Sequence, residues 1–308
     1  MALDDSTADH KRRVRARLLF VVAALAWSTG GFFAKAPTFN DWDDSTRGVL
    51  LAFWRALFAS LVLLPFVRRP RLRWAMLPMA FCFLAMNVSY MSAMVYTTGA
   101  NAIWLQNTSP VWIFLASAFL LHEQVTMRDW RMFAFVAAGV VTIVAFESLN
   151  AHQRDDAKPL GVVYGLLSGL FYSGVLLSLR YLRDEDAAWL VALNHITTAI
   201  VLAPYVYWTG VRPSGEQFGY LAAFGILQMG LPYLLCARGL RSVPGHEASG
   251  ILLLEPLLLP VWIWLAWHTH KDYMPPSWWT YVGGGLILAG LASRYLSFNR
   301  KPSGLRAH

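Results

Sequence analysis

Ten apolar blocks run along the chain, at 18–34, 48–67, 74–96, 101–121, 130–147, 160–179, 187–207, 218–237, 248–267 and 277–298, each set off by a short polar or charged connection. About 20 predominantly apolar residues in helical conformation cross the hydrocarbon core of a bilayer. The pattern therefore predicts an all-α integral membrane protein with ten transmembrane helices and no room for a soluble domain. The polar residues 1–10 and the basic run Lys11–Arg17 precede the first block. That flank also suits a secretory signal peptide, but no small-residue cleavage site closes the block, so it is read as the first helix.

The blocks repeat. Asn101–Val140 has an echo 146 residues on, Glu247–Leu286, in which Pro110 meets Pro256 and Gly139 meets Gly285. Ala24–Lys35 has another 145 residues on, where Trp27 meets Tyr172, Ser28 meets Ser173 and Lys35 meets Arg180. The chain thus divides into a basic N-tail (1–17), a first repeat (18–147), a polar link (148–159), a second repeat (160–298) and a C-tail (299–308). Five helices return the chain on the opposite side of the membrane, so the second repeat is inverted and a site is expected at the midplane between the halves.

Composition agrees with this pattern. Hydrophobic residues make up 56% and charged residues 14%, against about 25% charged in ordinary soluble domains. With the N-terminus placed inside, Lys and Arg divide 19 to 6 in favour of the inside connections, and Arg55 alone lies within a span. That bias predicts cytoplasmic termini. It also accounts for the net charge of +8 without nucleic acid as a partner. Cys82 and Cys236 lie in apolar runs and read as packing residues. Trp42, Trp74, Trp278 and Trp279 read as interface aromatics. No zinc spacing, phosphate loop or nucleophile elbow occurs, so neither a metal nor a cofactor is expected. An integral-membrane transferase has only the pairs His122–Glu123 and His246–Glu247 to offer, each without a third partner.

Polar groups inside a span are costly unless they face a cavity or a partner. Block 3 carries Asn87, Tyr90, Met91 and Met94 at helical spacing, and block 4 carries Asn101, Trp104, Leu105, Thr108 and Trp112. Such faces suit an amphipathic ligand: rings stack on its apolar part while amides and hydroxyls hold its polar groups. Packing between helices is the alternative. In the second half, Tyr172 and Gln228 are the corresponding candidates. Arg55, Glu255 and His195 are the charged or imidazole residues in block interiors, Glu255 the only acid there, and are read either as structural groups or as carriers of coupling.

The FWRALFASLVLLP of block 2, the SP…HEQVTMRDW…AGV of blocks 4–5 and the EP…GGGLILAG of blocks 9–10 resemble the drug/metabolite transporter superfamily, EamA type, over nearly the whole chain. ALAWSTGGFFAKA near the start looks most like the YddG amino-acid exporter branch. The resemblance implies a monomeric bacterial inner-membrane exporter of aromatic and other neutral amino acids, working by alternating access. It also implies a structural role for Arg55 and a peripheral position for His195. Small multidrug relatives exchange protons through a carboxylate in their first helix. Block 1 here has none, which favours facilitated diffusion. Proton-coupled export of drugs or other metabolites is the alternative, through Glu255 or His195.

Overall fold

A computed structural model describes residues 2–119, 126–150, 159–239 and 251–295. The polar link between 151 and 158, the C-tail and the pairs His122–Glu123 and His246–Glu247 lie outside the described residues. Among the described residues the regular elements are all helical: α1 Ala2–Ser28, α2 Gly30–Ala34, α3 Asp44–Leu63, α4 Met76–Tyr96, α5 Gly99–Gln106, α6 Ser109–Phe119, α7 Met127–Leu149, α8 Pro159–Tyr181, α9 Ala187–Thr209, α10 Gly215–Ala223, a π-helical stretch Phe224–Gly230, α11 Leu231–Gly239, α12 Leu254–Trp267 and α13 Trp278–Tyr295. Side-chain caps set several starts. Asp43 accepts from Ser45 N at 2.7 Å, Thr126 and Asp129 form a capping box, and Ser214 and Gln217 form another. Gly210 ends α9 at φ +67°, a left-handed conformation that favours glycine.

Among the described residues, seven helical stretches are long and apolar enough to cross a membrane: Val14–Ala34, Asp44–Phe66, Met76–Tyr96, Met127–Leu149, Pro159–Tyr181, Ala187–Thr209 and Gly215–Cys236. They coincide with predicted blocks 1–3 and 5–8. The helix of block 1 starts well before it, at Ala2, and takes in the basic tail. The fourth block differs from expectation. It is two helices, α5 and α6, parted at Asn107–Thr108. Pro110 is the reason: it has no N–H to bond the Gln106 carbonyl, and its ring disfavours helical geometry just before it. Block 9 yields only the 14-residue α12, which starts after a turn at Leu253 with Pro256 in its first turn. The two breaks fall at the positions matched by the 146-residue repeat.

The packing repeats as well. α4 runs along α8 and α11 along α1; α5 packs on α8 and α12 on α1; α3 meets the π-helical stretch and α9 meets α4. Each pairing becomes its companion when the halves are exchanged. The pairs α7–α13, α3–α9 and α5–α12 map onto themselves. At the α7–α13 crossing, a Cβ on Gly139 would stand 2.4 Å from Gly283 O, and one on Gly283 would stand 2.7 Å from Gly139 O. The repeat alignment matched Gly139 with Gly285, but Gly285 is exposed and a Cβ there would touch nothing. Of the four tryptophans read as interface residues, Trp74 and Trp278 are exposed, whereas Trp42 and Trp279 are buried against Phe39 and Phe146.

Two latches tie the halves together at equivalent places. Arg73 Nη1 donates to Glu185 Oε1 at 2.8 Å. Gln217 Nε2 donates to Asp41 Oδ1 at 2.9 Å. Arg73 and Gln217 lie 144 residues apart, as do Asp41 and Glu185. Beside the first latch, the Asp186 carboxylate accepts from Arg68 N at 2.9 Å, Arg69 N at 3.0 Å and Ala188 N at 3.0 Å. Partial burial pushes this carboxyl up, but the backbone hydrogen bonds outweigh it and hold the group below the usual range. A depressed carboxyl stabilises the fold above its unfolded value, about 3.9, and the contribution is lost as the pH falls through the folded value. Acidification from about pH 6 to pH 3 should therefore lower the thermal midpoint of the wild type in detergent more steeply than that of Asp186→Asn. Parallel slopes would show that these bonds carry no charge-dependent stability.

Candidate functional site

Asn87 of block 3 and Asn101 and Trp104 of block 4 bond to other helices. Arg55 on α3 is 2% exposed. Its Nε donates to Asn87 Oδ1 at 2.7 Å, an Nη bonds the same oxygen, and Asn87 Nδ2 donates to Ala52 O at 3.2 Å. Asn87 is thus the neutral holder of a buried cation. The guanidinium lies over the rings of Tyr90 and Phe224, 5.7 and 5.4 Å from their centroids. Both distances suit cation–π attraction.

Asn101, at the start of α5, donates to Glu147 Oε1 at 2.7 Å and to Thr97 Oγ1 at 3.1 Å. Glu147 is the last residue of predicted block 5, a place at the membrane edge. It lies inside α7 and is buried, so Glu255 is not the sole acid in the core. An acid at the last position of a block carries little hydropathic signal, and only its amide partner reveals it.

Trp104 joins the two broken helices. Its Nε1 donates to Pro256 O at 3.0 Å, and its ring covers Gly284 and meets Tyr281 edge-on. Pro256 O is available because the residue four positions on is Pro260, which has no N–H to give it. Trp104→Phe keeps the ring but leaves that carbonyl unbonded, at a cost of about 1–3 kcal/mol. The loss should appear as a lower thermal midpoint and should reduce flux of every substrate alike. A loss confined to aromatic substrates would instead make Trp104 a ligand contact.

Other candidates lie around the same core. Thr108 Oγ1 donates to Leu105 O at 2.7 Å and packs against Gly169. Gln228, in the π-helical stretch, donates to Trp27 O at 3.2 Å, a carbonyl freed by the α1–α2 break, and its Oε1 is buried without a partner among the described residues. Tyr172 and Tyr233 both pack on the apolar cluster around Phe83. His195 is not peripheral. It is 0% exposed, edge-on to Phe83 and Tyr233, and neither ring nitrogen has a hydrogen-bond partner among the described residues. Glu255 on α12 is half-buried. Trp27 and Tyr233 meet edge to face at 5.1 Å. Arg55 thus meets Tyr90 between α3 and α4, and His195 meets Tyr233 between α9 and α11. Hydropathy singled out most of these residues but missed Tyr233 as a site residue, since a tyrosine in an apolar block has no positional signal.

A separate open cavity of about 780 Å³ lies at the end of the molecule that carries the α2–α3 connection. Lys35, Asp44, Arg47, Tyr96, Trp267 and Lys271 are among its walls. The two cysteines are free thiols, as the packing reading requires.

A model of the EamA-like transporter family matches the chain twice, over residues 14–145 and 159–294. The chain is 25% identical to the pseudopaline exporter CntI of Pseudomonas aeruginosa over 207 residues, 65% of this chain and 67% of that one. It is 25% identical to an uncharacterized transporter of Archaeoglobus fulgidus over 294 residues, 90% of this chain and 96% of that one. A solved crystal structure shares the fold with TM-score 0.61 and 20% identity, covering 92% of this chain and 98% of the other. Family and relatives are transporters rather than enzymes, which removes the transferase reading. Two matched repeats and apolar spanning helices make this a multi-pass membrane protein, and the chain belongs to the EamA-like transporter family.

Proposed function

We propose that this chain exports amino acids, aromatic and other neutral ones foremost, by alternating access across a bacterial inner membrane. The observation that carries this reading is the core itself: aromatic rings and ionisable groups from α3, α4, α9 and α11, beside two broken helices joined by Trp104. Discontinuous helices near the bilayer midplane are a recurring feature of transporter sites, and rings with polar groups suit an amphipathic ligand. The aromatic core also supports a place in the aromatic amino-acid exporter branch. Export, rather than uptake, is suggested by the name of the Pseudomonas relative. In this reading ten helices span the membrane, and the repeats 18–147 and 160–298 are inverted about the link 148–159. Both termini are cytoplasmic and the monomer is the working unit. The equivalent latches at Arg73–Glu185 and Gln217–Asp41 support two states in which one or the other opens. Transport is facilitated diffusion, because block 1 lacks a carboxylate. The buried acid Glu147 and the half-buried Glu255 favour a second reading, proton-coupled export of drugs or other metabolites.

The test is flux from proteoliposomes that hold only this protein, loaded in turn with each amino acid at clamped membrane potential. Downhill flux of neutral amino acids, with no accumulation under an imposed pH step, is the expected result. Accumulation driven by the pH step alone would establish proton coupling. No flux of any amino acid would overturn the substrate assignment.

A further inference from the structure

The α3–α4 connection joins two long apolar helices, one ending at Phe66 and the next starting at Met76, so it lies where hydrocarbon gives way to headgroups. It carries Arg68, Arg69, Arg71 and Arg73 within six residues. Its main chain is fastened to the α8–α9 connection and the first turn of α9. Asp186 accepts from Arg68 N and Arg69 N, Trp189 Nε1 donates to Arg71 O at 2.7 Å, and Arg73 bonds Glu185. Pro70 fixes one further backbone angle. Of the consecutive acids Asp184, Glu185 and Asp186, the second is thus engaged by Arg73 and the third by main-chain N–H groups. The side chains of Arg68, Arg69 and Arg71 are exposed and make no hydrogen bond or ion pair among the described residues. Apolar side chains accompany them. Leu72 is 78% exposed and Trp74 is 87% exposed, and Leu77 and Phe81, one turn apart at the start of α4, are exposed as well. Tryptophan is favoured at the headgroup level of a bilayer. A guanidinium gives a phosphate two parallel N–H bonds. Guanidiniums carried on a fastened main chain lose less freedom on binding, which lowers the cost of association.

We propose that this connection is a binding site for an anionic phospholipid. Arg68, Arg69 and Arg71 hold the headgroup phosphate, Trp74 lies at the level of the glycerol backbone, and Leu72, Leu77 and Phe81 contact the acyl chains. The ligand is defined by two properties in one molecule, a net negative charge and hydrocarbon chains. A soluble phosphate ester has only the first. Phosphatidylcholine has only the second, since its ammonium group cancels its phosphate. Basic clusters beside a membrane span attract anionic lipid several-fold per arginine. General attraction of that kind follows net charge alone. A site built on a fastened main chain also needs the guanidiniums to keep their places. Asp186 is therefore a positioning residue, which holds the arginine segment in place even though its own charge opposes the ligand. The site lies beside the Arg73–Glu185 latch and does not rest on what the chain transports.

Native mass spectrometry of the purified full-length protein measures the test, by the lipid retained from detergent doped with dioleoylphosphatidylglycerol or dioleoylphosphatidylcholine, which share their acyl chains. The first phosphatidylglycerol should bind at least about tenfold more tightly than the first phosphatidylcholine. Excess glycerol 3-phosphate, a headgroup without chains, should not displace it. Arg68→Gln/Arg69→Gln should remove most of the preference. Arg128→Gln/Arg131→Gln takes the same two charges from exposed positions near the start of α7 and should retain it. Asp186→Ala makes the protein more positive, yet it should weaken phosphatidylglycerol binding, because the arginine segment is released. Each variant is compared below its own thermal midpoint, so that loss of binding is not loss of fold. Tighter binding by Asp186→Ala, or an equal loss in the α7 variant, would mean that net charge alone attracts lipid, and the site would fall. Equal binding of the two lipids, or displacement by glycerol 3-phosphate, would overturn the ligand class.

Discussion

Gly139→Leu should separate α7 from α13 and lower stability by about 3 kcal/mol or more, above the usual cost of overpacking because the obstacle is backbone. A Cβ at Gly139 would stand 2.4 Å from Gly283 O and 3.1 Å from Ile287 N, neither of which has a rotamer to change. Helices in lipid gain nothing from hydrophobic exclusion against one another, so close approach of small residues carries much of their association. The α7–α13 contact also maps onto itself when the halves are exchanged, so its loss strips the same support from both. Thermal unfolding in detergent measures the effect, with Gly285→Leu as the control on the same helix. Gly285 is exposed with nothing near its Cβ, and its variant should unfold close to wild type. Equal midpoints for the two variants would show that the crossing tolerates separation.

Asn87→Leu should be comparably damaging for the opposite reason. The change fills the volume and improves hydropathy, yet it removes the oxygen that receives two N–H groups of Arg55. A buried cation deprived of its partner costs about 3–5 kcal/mol, and leucine returns none of it. Low folded yield and a lower midpoint are expected for Asn87→Leu. The double variant Arg55→Met/Asn87→Leu, which removes the charge as well, should recover most of the stability but not transport. If the double variant is no more stable than the single one, the hydrogen bond is not what stabilises this site.

Much of the architecture was legible in the chain. Hydropathy placed the seven long spans to within a few residues, because a bilayer requires a continuous apolar stretch of nearly fixed length. The repeat was legible in Pro110 and Pro256, because a proline in a helix breaks it at a set distance from its own position. Those breaks also turned two expected single spans into shorter pieces, a consequence of the prolines that block length concealed. The polar members of the site were visible as residues but not in their roles. Asn87, Asn101 and Trp104 share a face with apolar neighbours whether they line a cavity or bond another helix.

What decided between those roles was contact with residues distant in the sequence. Asn87 meets Arg55 from the preceding span, Asn101 meets Glu147, and Trp104 meets the carbonyl of Pro256 in the other half. The same holds for Gly139, whose neighbour is Gly283 and not the Gly285 of the alignment. The amino-acid sequence by itself determined which segments enter the membrane, since that choice is made residue by residue against one uniform solvent. It also determined that the chain holds two related halves. Only the tertiary structure decided which polar group satisfies which. Inside the bilayer each such group needs a partner, and several helices offer one. The register between helices selects among them to within a few tenths of an ångström, finer than any periodicity in the chain resolves.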